Sequence, residues 1–142
     1  MSLSSPIGSP AIAPRPSTVL IVEDEYTVRL AIAWHLEEAG WRVLEAATAE
    51  QAIAIVRSET PVDVLFTDIH LDSSGCGWEV AEAFRAVRPD IAVLYASGNT
   101  RDRSRCVSGS LFFDKPYRAS DIVEACRRVH LGVEQPSMAP PL

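Results

Sequence analysis

TVLIVEDEYTVRLAIAWHLEEAG, residues 18–40, opens on an unbroken apolar run, turns at three acids and continues with apolar residues at helical spacing. Val19, Leu20, Ile21 and Val22 read as a strand buried on both faces, since a half-exposed strand would alternate apolar with polar side chains. Val28, Ala31, Ile32, Leu36 and Ala39 then recur at three-four spacing, the stripe of an amphipathic helix closed by Gly40. A buried strand feeding a helix is the first half of a βα unit, and the alternation recurs along the chain.

Trp41 to Leu44 predicts a second strand, and Thr48 followed by Gln51 predicts a capped helix carrying Ala52, Ile53 and Val56. Val62 to Phe66 predicts a third strand. A helix over Trp78 to Val87 is expected to bury Ala81, Phe84 and Val87, with Pro89 ending it ahead of a fourth strand, Ile91 to Tyr95. Leu111 to Phe113 reads as the fifth strand, and Ser120 to His130 as a last helix burying Ile122, Val123, Cys126 and Val129. The expectation is an α/β fold: a doubly wound, five-stranded parallel sheet in three layers, with function outside the carboxyl ends of the strands.

A chain of 142 residues with 47% hydrophobic and 23% charged residues suffices for one buried core and is short for two domains. Residues 1–17 and 134–142 are rich in Pro and read as disordered tails flanking a domain over 18–133. The net charge of −6 argues against direct DNA binding, which needs clustered cations. Cys76, Cys106 and Cys126 form no CxxC pair and fit reduced thiols in the cytoplasm. No apolar run reaches the length of a membrane span, and the N-terminal segment lacks the basic start of a signal peptide.

The strand ends carry Glu23, Asp24 and Glu25 after the first strand, Asp68 after the third, Ser97 after the fourth and Lys115 after the fifth. A parallel sheet brings these ends together. Several carboxylates in one crevice raise each other's pKa unless a cation sits among them, and all-oxygen ligands suit Mg2+. Lys115 offers a compact positive charge and Ser97 a hydroxyl donor, both matched to phosphoryl oxygens.

The blocks Val19 to Glu25, Phe66-Thr67-Asp68, Ala96-Ser97-Gly98 and Phe112-Phe113-Asp114-Lys115-Pro116 together resemble the signature of response-regulator receiver domains, over nearly the whole globular part. The resemblance implies a flavodoxin-like fold and a phosphoryl group accepted on Asp68 from a sensor histidine kinase or histidine phosphotransfer protein. It implies Mg2+ held directly by Asp24 and Asp68, by Glu23 through water and by the backbone carbonyl of His70. Ser97 and Lys115 then contact the phosphoryl oxygens, Phe112 takes the aromatic switch position with Ser97, and the Lys115-Pro116 bond is cis. With a Pro-rich stretch after the last helix, the expected role is a stand-alone receiver that binds a downstream protein target when phosphorylated; a weak homodimer is compatible with it. It would be no enzyme beyond its own phosphoryl transfer and dephosphorylation.

Each residue also has a plainer reading. Asp24 and Asp68 taken singly are ordinary cap residues, Ser97 a turn residue, Lys115 a surface charge and Phe112 a core aromatic. His70 lacks His or Cys partners at ligand spacing, so its side chain reads as part of a loop. Two rivals stand beside the receiver reading. A flavin binder of the same fold is disfavoured by three acids where a phosphate cradle would lie. The other rival is a phosphorylation-independent scaffold with a relic acidic pocket.

Two departures from the family pattern stand out. Asp72 takes a position where the family often has Pro, so the loop through Gly77 is expected to be more mobile. Gly98 to Ser110 is short for the family's fourth helix, and Thr100 to Arg105 lacks an apolar stripe. At most one or two helical turns are expected there, in a mobile basic loop bearing Arg101, Arg103 and Arg105.

Overall fold

The computed structural model describes residues 17–71, 75–98 and 103–131. The five strands are β1 (Thr18–Val22), β2 (Arg42–Ala46), β3 (Val64–Asp68), β4 (Ala92–Ser97) and β5 (Leu111–Asp114). The helices among the described residues are α1 (Tyr26–Glu38), α2 (Ala49–Arg57), α3 (Gly77–Val87) and α4 (Ala119–Leu131). Every pairing is parallel, in the order β2-β1-β3-β4-β5. The chain runs outward from β1 to β2, returns across β1 to β3 and then proceeds the other way. The turns leaving β1 and β3 therefore diverge, and the crevice between them opens at the carboxyl edge.

Alternate side chains of the central strands feed two cores. Val19, Ile21, Val64, Phe66, Leu94 and Ala96 pack under Ile32, Ala33 and Leu36 of α1 and Ile122, Ala125 and Cys126 of α4. On the opposite face, Leu20, Val22, Leu65, Val93 and Tyr95 meet Ala49 and Ala52 of α2 and Val80, Ala81 and Phe84 of α3. The Thr48 hydroxyl accepts the Gln51 N–H at 3.0 Å, so Thr48 caps α2 as expected, while the Gln51 side chain accepts the N–H of Ala47, one residue before the cap, at 2.7 Å. Gly40 stands just past α1 at φ +98°, a conformation that favours glycine.

Several expectations shift. β3 and β4 start after Val62 and Ile91, which are buried ahead of the ladder, and run to Asp68 and Ser97, beyond Phe66 and Tyr95, because the ladder continues through the pairs of Thr67 with Tyr95 and Asp68 with Ala96. The buried stripe of α1 includes Ala33 in place of Ala31, and Val80 rather than Val87 faces the core from α3, Val87 being exposed. The tails at 1–16 and 132–142, the residues 72–74 with Asp72, and Arg101 lie outside the described residues.

Between β4 and β5, residues 103–110 form turns and no helix, as the lack of an apolar stripe predicts. Two of the segment's basic side chains nevertheless find partners within the chain. Arg105 grips both carboxylate oxygens of Glu82 on α3 at 2.9 and 3.3 Å, with its guanidinium 5.4 Å from the Trp78 ring centre. Arg103 lies 4.0 Å over the Phe112 ring, and the Val107 N–H donates to the Tyr95 hydroxyl at 3.1 Å. Cys106 and Val107 pack against the α2–α3 core, so two apolar residues and two cation–π contacts occupy the ground of a helix.

Candidate functional site

The carboxyl edge gathers Glu23, Asp24, Asp68 and Lys115, as the strand ends predict. One oxygen from each of Glu23, Asp24 and Asp68 lies within 4.8 Å of the others. Asp68 ends β3 at only 4% exposure, because β1 and β4 flank it and the Ile69 N–H continues the ladder to Ala96. Lys115 Nζ donates to Asp68 Oδ2 at 2.6 Å and stands 3.7 Å from Glu23 Oε1. Its peptide bond to Pro116 is cis.

Burial pushes the Glu23 carboxyl up to about 7, and the negative charge of Asp68 acts in the same direction. The Glu25 N–H, donated to Glu23 Oε2 at 3.0 Å, and the charge of Lys115 oppose the rise without cancelling it. For Lys115, burial works against the ammonium, but its hydrogen bond to Asp68 and the charges of Asp68, Glu23 and Asp24 hold its pKa above the ordinary lysine value. One cation facing three carboxylates leaves excess negative charge, and the all-oxygen donor set suits a hard divalent ion. The residues present therefore fit Mg2+.

Glu23 supplies a pH signature. Its folded pKa lies above the unfolded value of 4.5, so the stability it contributes is fully present below that value and is lost as pH rises through about 7. Without metal, the protein is expected to melt at a lower temperature at about pH 8 than at about pH 5.5, and Glu23→Gln should remove most of that difference. Thermal melts of both proteins across this range, with chelator present, check it; equal slopes would contradict the raised carboxyl.

The remaining candidates sit around this centre. Ser97 is buried at the end of β4, its carbonyl accepting the Lys115 N–H at 2.9 Å. His70 directs its N–H to Asp68 Oδ1 at 3.4 Å while its side chain is exposed. Phe112 is half-buried on β5 opposite Tyr95, beneath Arg103. A hollow of ≈ 380 Å³ opens beside Lys115, bounded by Glu25, Val28, Pro116 and Tyr117. Burial raises the pKa of the Tyr117 phenol, with the charges of Glu23, Asp68 and Glu25 adding to it, so this wall stays neutral.

Two residues with a bearing on the site escape a sequence reading. Gly77, the first residue of α3, approaches the backbone of Asp68 and Ile69 so closely that a Cβ would lie 2.2 Å from the Asp68 carbonyl oxygen. Arg29 of α1 donates to the Glu23 carbonyl at 2.8 Å. The available signals were a glycine opening a helix beside the loop after Asp68 and a basic residue in the first turns of a helix, where the dipole disfavours it.

A buried parallel sheet with an acidic cluster and a lysine at its carboxyl edge defines an α/β protein of the receiver class. The chain belongs to the response regulator receiver domain family, whose model matches residues 19–127. Its structure is similar to that of a response regulator receiver protein from Sinorhizobium medicae WSM419, with a TM-score of 0.79 and 26% identity, covering 82% of this chain and 96% of that one. Among curated proteins it is 27% identical over 113 residues to the probable transcriptional regulatory protein TcrX of Mycobacterium tuberculosis, covering 77% of this chain but 47% of the relative. It is 25% identical over 114 residues to sporulation initiation phosphotransferase F of Bacillus subtilis, covering 78% of this chain and 90% of that protein. The chain thus spans about half the length of TcrX and nearly all of the phosphotransferase. Receiver domains are the phospho-acceptor modules of two-component systems, phosphorylated by kinases, and they bind Mg2+ at an acidic pocket. Among the described residues no helix is long and apolar enough to cross a membrane.

Proposed function

We propose that the protein is a cytoplasmic receiver that accepts a phosphoryl group on Asp68 from a histidine kinase or histidine phosphotransfer protein and signals by a change in the protein it binds. The observation that carries this reading is the 2.6 Å contact of Lys115 Nζ with Asp68 Oδ2 inside a crevice shared with Glu23 and Asp24.

In the proposed step, an Asp68 oxygen forms a bond to phosphorus while the bond from phosphorus to the donor imidazole nitrogen breaks, its electron pair leaving with the nitrogen. Asp24 and Asp68 would hold Mg2+ directly, with Glu23 acting through water and the His70 carbonyl completing the set; bound there, the ion supplies positive charge to the phosphoryl oxygens. Lys115 exchanges its Asp68 partner for a phosphoryl oxygen, and the Ser97 hydroxyl donates to another. The hollow bounded by Pro116 and Tyr117 leaves room for the donor's approach. Output then depends on Ser97 and Phe112, because drawing the hydroxyl toward new oxygens frees space beside the β5 aromatic.

Incubation with a small phosphodonor and Mg2+ is expected to add one phosphoryl group by mass, and chelation of the metal to prevent it. A protein that gains no mass under these conditions would instead be a scaffold with a relic pocket.

A further inference from the structure

We propose that Arg29 is a positioning residue for the Mg2+ ligands of the β1–α1 turn, an inference that rests on the proposed reading of the acidic crevice. α1 begins without a side-chain cap at Glu25 and without an acid in its first turn, although its N-terminus carries the positive end of the helix dipole. A cation near that end is locally unfavourable, so other contacts must hold it. Arg29 finds them across the turn. Its side chain is 13% exposed, its Nε donates to Glu45 Oε1 at 3.0 Å, and its Nη1 donates to the Glu23 carbonyl oxygen at 2.8 Å.

That carbonyl belongs to the peptide joining Glu23 to Asp24, two of the proposed ligands. Its position is the geometric crux of the turn. The Glu23 N–H is already bound to the Ala46 carbonyl of β2 at 3.0 Å, and Glu23 Oε2 accepts the Glu25 N–H at 3.0 Å. Arg29 closes the remaining freedom by fixing the plane from which Asp24 departs. Glu45, from the end of β2, aims the guanidinium, and the Tyr26 ring centre lies 5.4 Å from it. The planar fork of arginine makes both bonds at once; an ammonium in the same place reaches one acceptor or the other.

A plainer role, in which Arg29 only ties α1 to β2 through Glu45, gives a different result on metal binding. By charge alone, a cation bound to the backbone of the same turn as Glu23 and Asp24 opposes Mg2+, so its removal would tighten metal binding. By positioning, its removal loosens the turn and weakens metal binding. The two effects have opposite signs.

The test titrates metal-free protein with Mg2+ by calorimetry for wild type, Arg29→Met and Arg29→Lys, with thermal melts of each in chelator. Met removes the charge and keeps the apolar stem, whereas Lys keeps the charge and loses the fork. Both variants are expected to bind Mg2+ roughly tenfold more weakly, the scale of losing a group that orients metal ligands. Phosphoryl uptake should return to the wild-type rate at saturating Mg2+, since the acceptor itself is untouched. Mg2+ binding by Arg29→Met at or above wild-type affinity, or by Arg29→Lys at wild-type affinity, overturns the proposal; if Arg29→Met does not fold, the Lys variant decides. A wild-type protein that binds no Mg2+ removes the metal assignment itself, and the role of Arg29 falls with it.

Discussion

Asp68→Asn is expected to reduce phosphoryl uptake to the background seen with chelated metal, while the protein stays folded. The amide has nearly the same shape as the carboxylate but is not a nucleophile toward phosphorus, so the attacking group is lost without opening a cavity. Two opposing effects set the stability. Lys115 loses its 2.6 Å ion pair with a carboxylate and keeps at most a weaker hydrogen bond from its ammonium to the neutral amide oxygen. Against that, one of three mutually repelling carboxylates becomes neutral, which lowers the pKa of Glu23 by removing one of the charges that raise it. The balance should lie within about 1 kcal/mol of wild type, a modest change for a substitution in a buried site. Mass measurement after incubation with a small phosphodonor reads the first effect and a chemical melt the second. Labelling at the wild-type level would place the acceptor elsewhere and remove Asp68 from the proposed mechanism.

The gathering of the candidate residues was legible in the sequence because a parallel sheet forces them into one place. Once Val19 to Val22 and Val62 to Phe66 are read as neighbouring buried strands, their carboxyl ends must adjoin, and so must the acids that follow them. The helix signals were equally local: Thr48 with Gln51, and Gly40 after α1. Strand ends misled where burial and pairing part company, since Val62 and Ile91 are apolar and buried but precede the ladder. α1 misled for another reason. Tyr26, Leu30 and Trp34 put large apolar side chains on its solvent face, so apolar spacing alone does not single out the buried stripe of Ile32, Ala33 and Leu36.

The residues that shape the site from outside left almost no pattern to read. Arg105 finds Glu82 across 23 positions of sequence, and Arg29 finds Glu45 across 16. Neither spacing is one a helix or strand repeats, and both pairs exist only because the sheet lays their elements side by side. The segment between β4 and β5 shows the same limit. Its sequence limits any helix there to a turn or two, and the described residues 103–110 form none, but the contacts of Arg103 with Phe112 and of Arg105 with Trp78 depend on which rings the fold presents.

Gly77→Ala is expected to destabilise the protein by about 2–3 kcal/mol, the scale of an overpacked interior, although the same change at an ordinary helix position stabilises. The reversal of sign has a specific cause. A Cβ at Gly77 would lie 2.2 Å from the Asp68 carbonyl oxygen and 2.9 Å from both the Asp68 carbonyl carbon and the Ile69 Cα. All three are backbone atoms, so no change of rotamer relieves the contact, and either the start of α3 or the end of β3 must retreat. β3 cannot yield easily: it is paired with β1 and β4, and its five residues are buried. Retreat of α3 would stretch the 2.8 Å hydrogen bond from the Gly77 N–H to the Ile69 carbonyl, which joins the helix to the strand exit beside Asp68. The substitution should therefore lower the melting temperature and slow phosphoryl uptake in the fraction that remains folded, because the backbone beneath Asp68 is displaced. Gly98→Ala is the control. Among the described residues its Cβ would meet only the Lys115 side chain, at 3.8 and 4.0 Å, so stability should stay within about 0.5 kcal/mol of wild type. Chemical melts of the two variants, with uptake measured below their transitions, check both effects. A Gly77→Ala protein as stable as wild type would mean that α3 does not pack this closely on the end of β3, and the acceptor turn would owe its shape to other contacts.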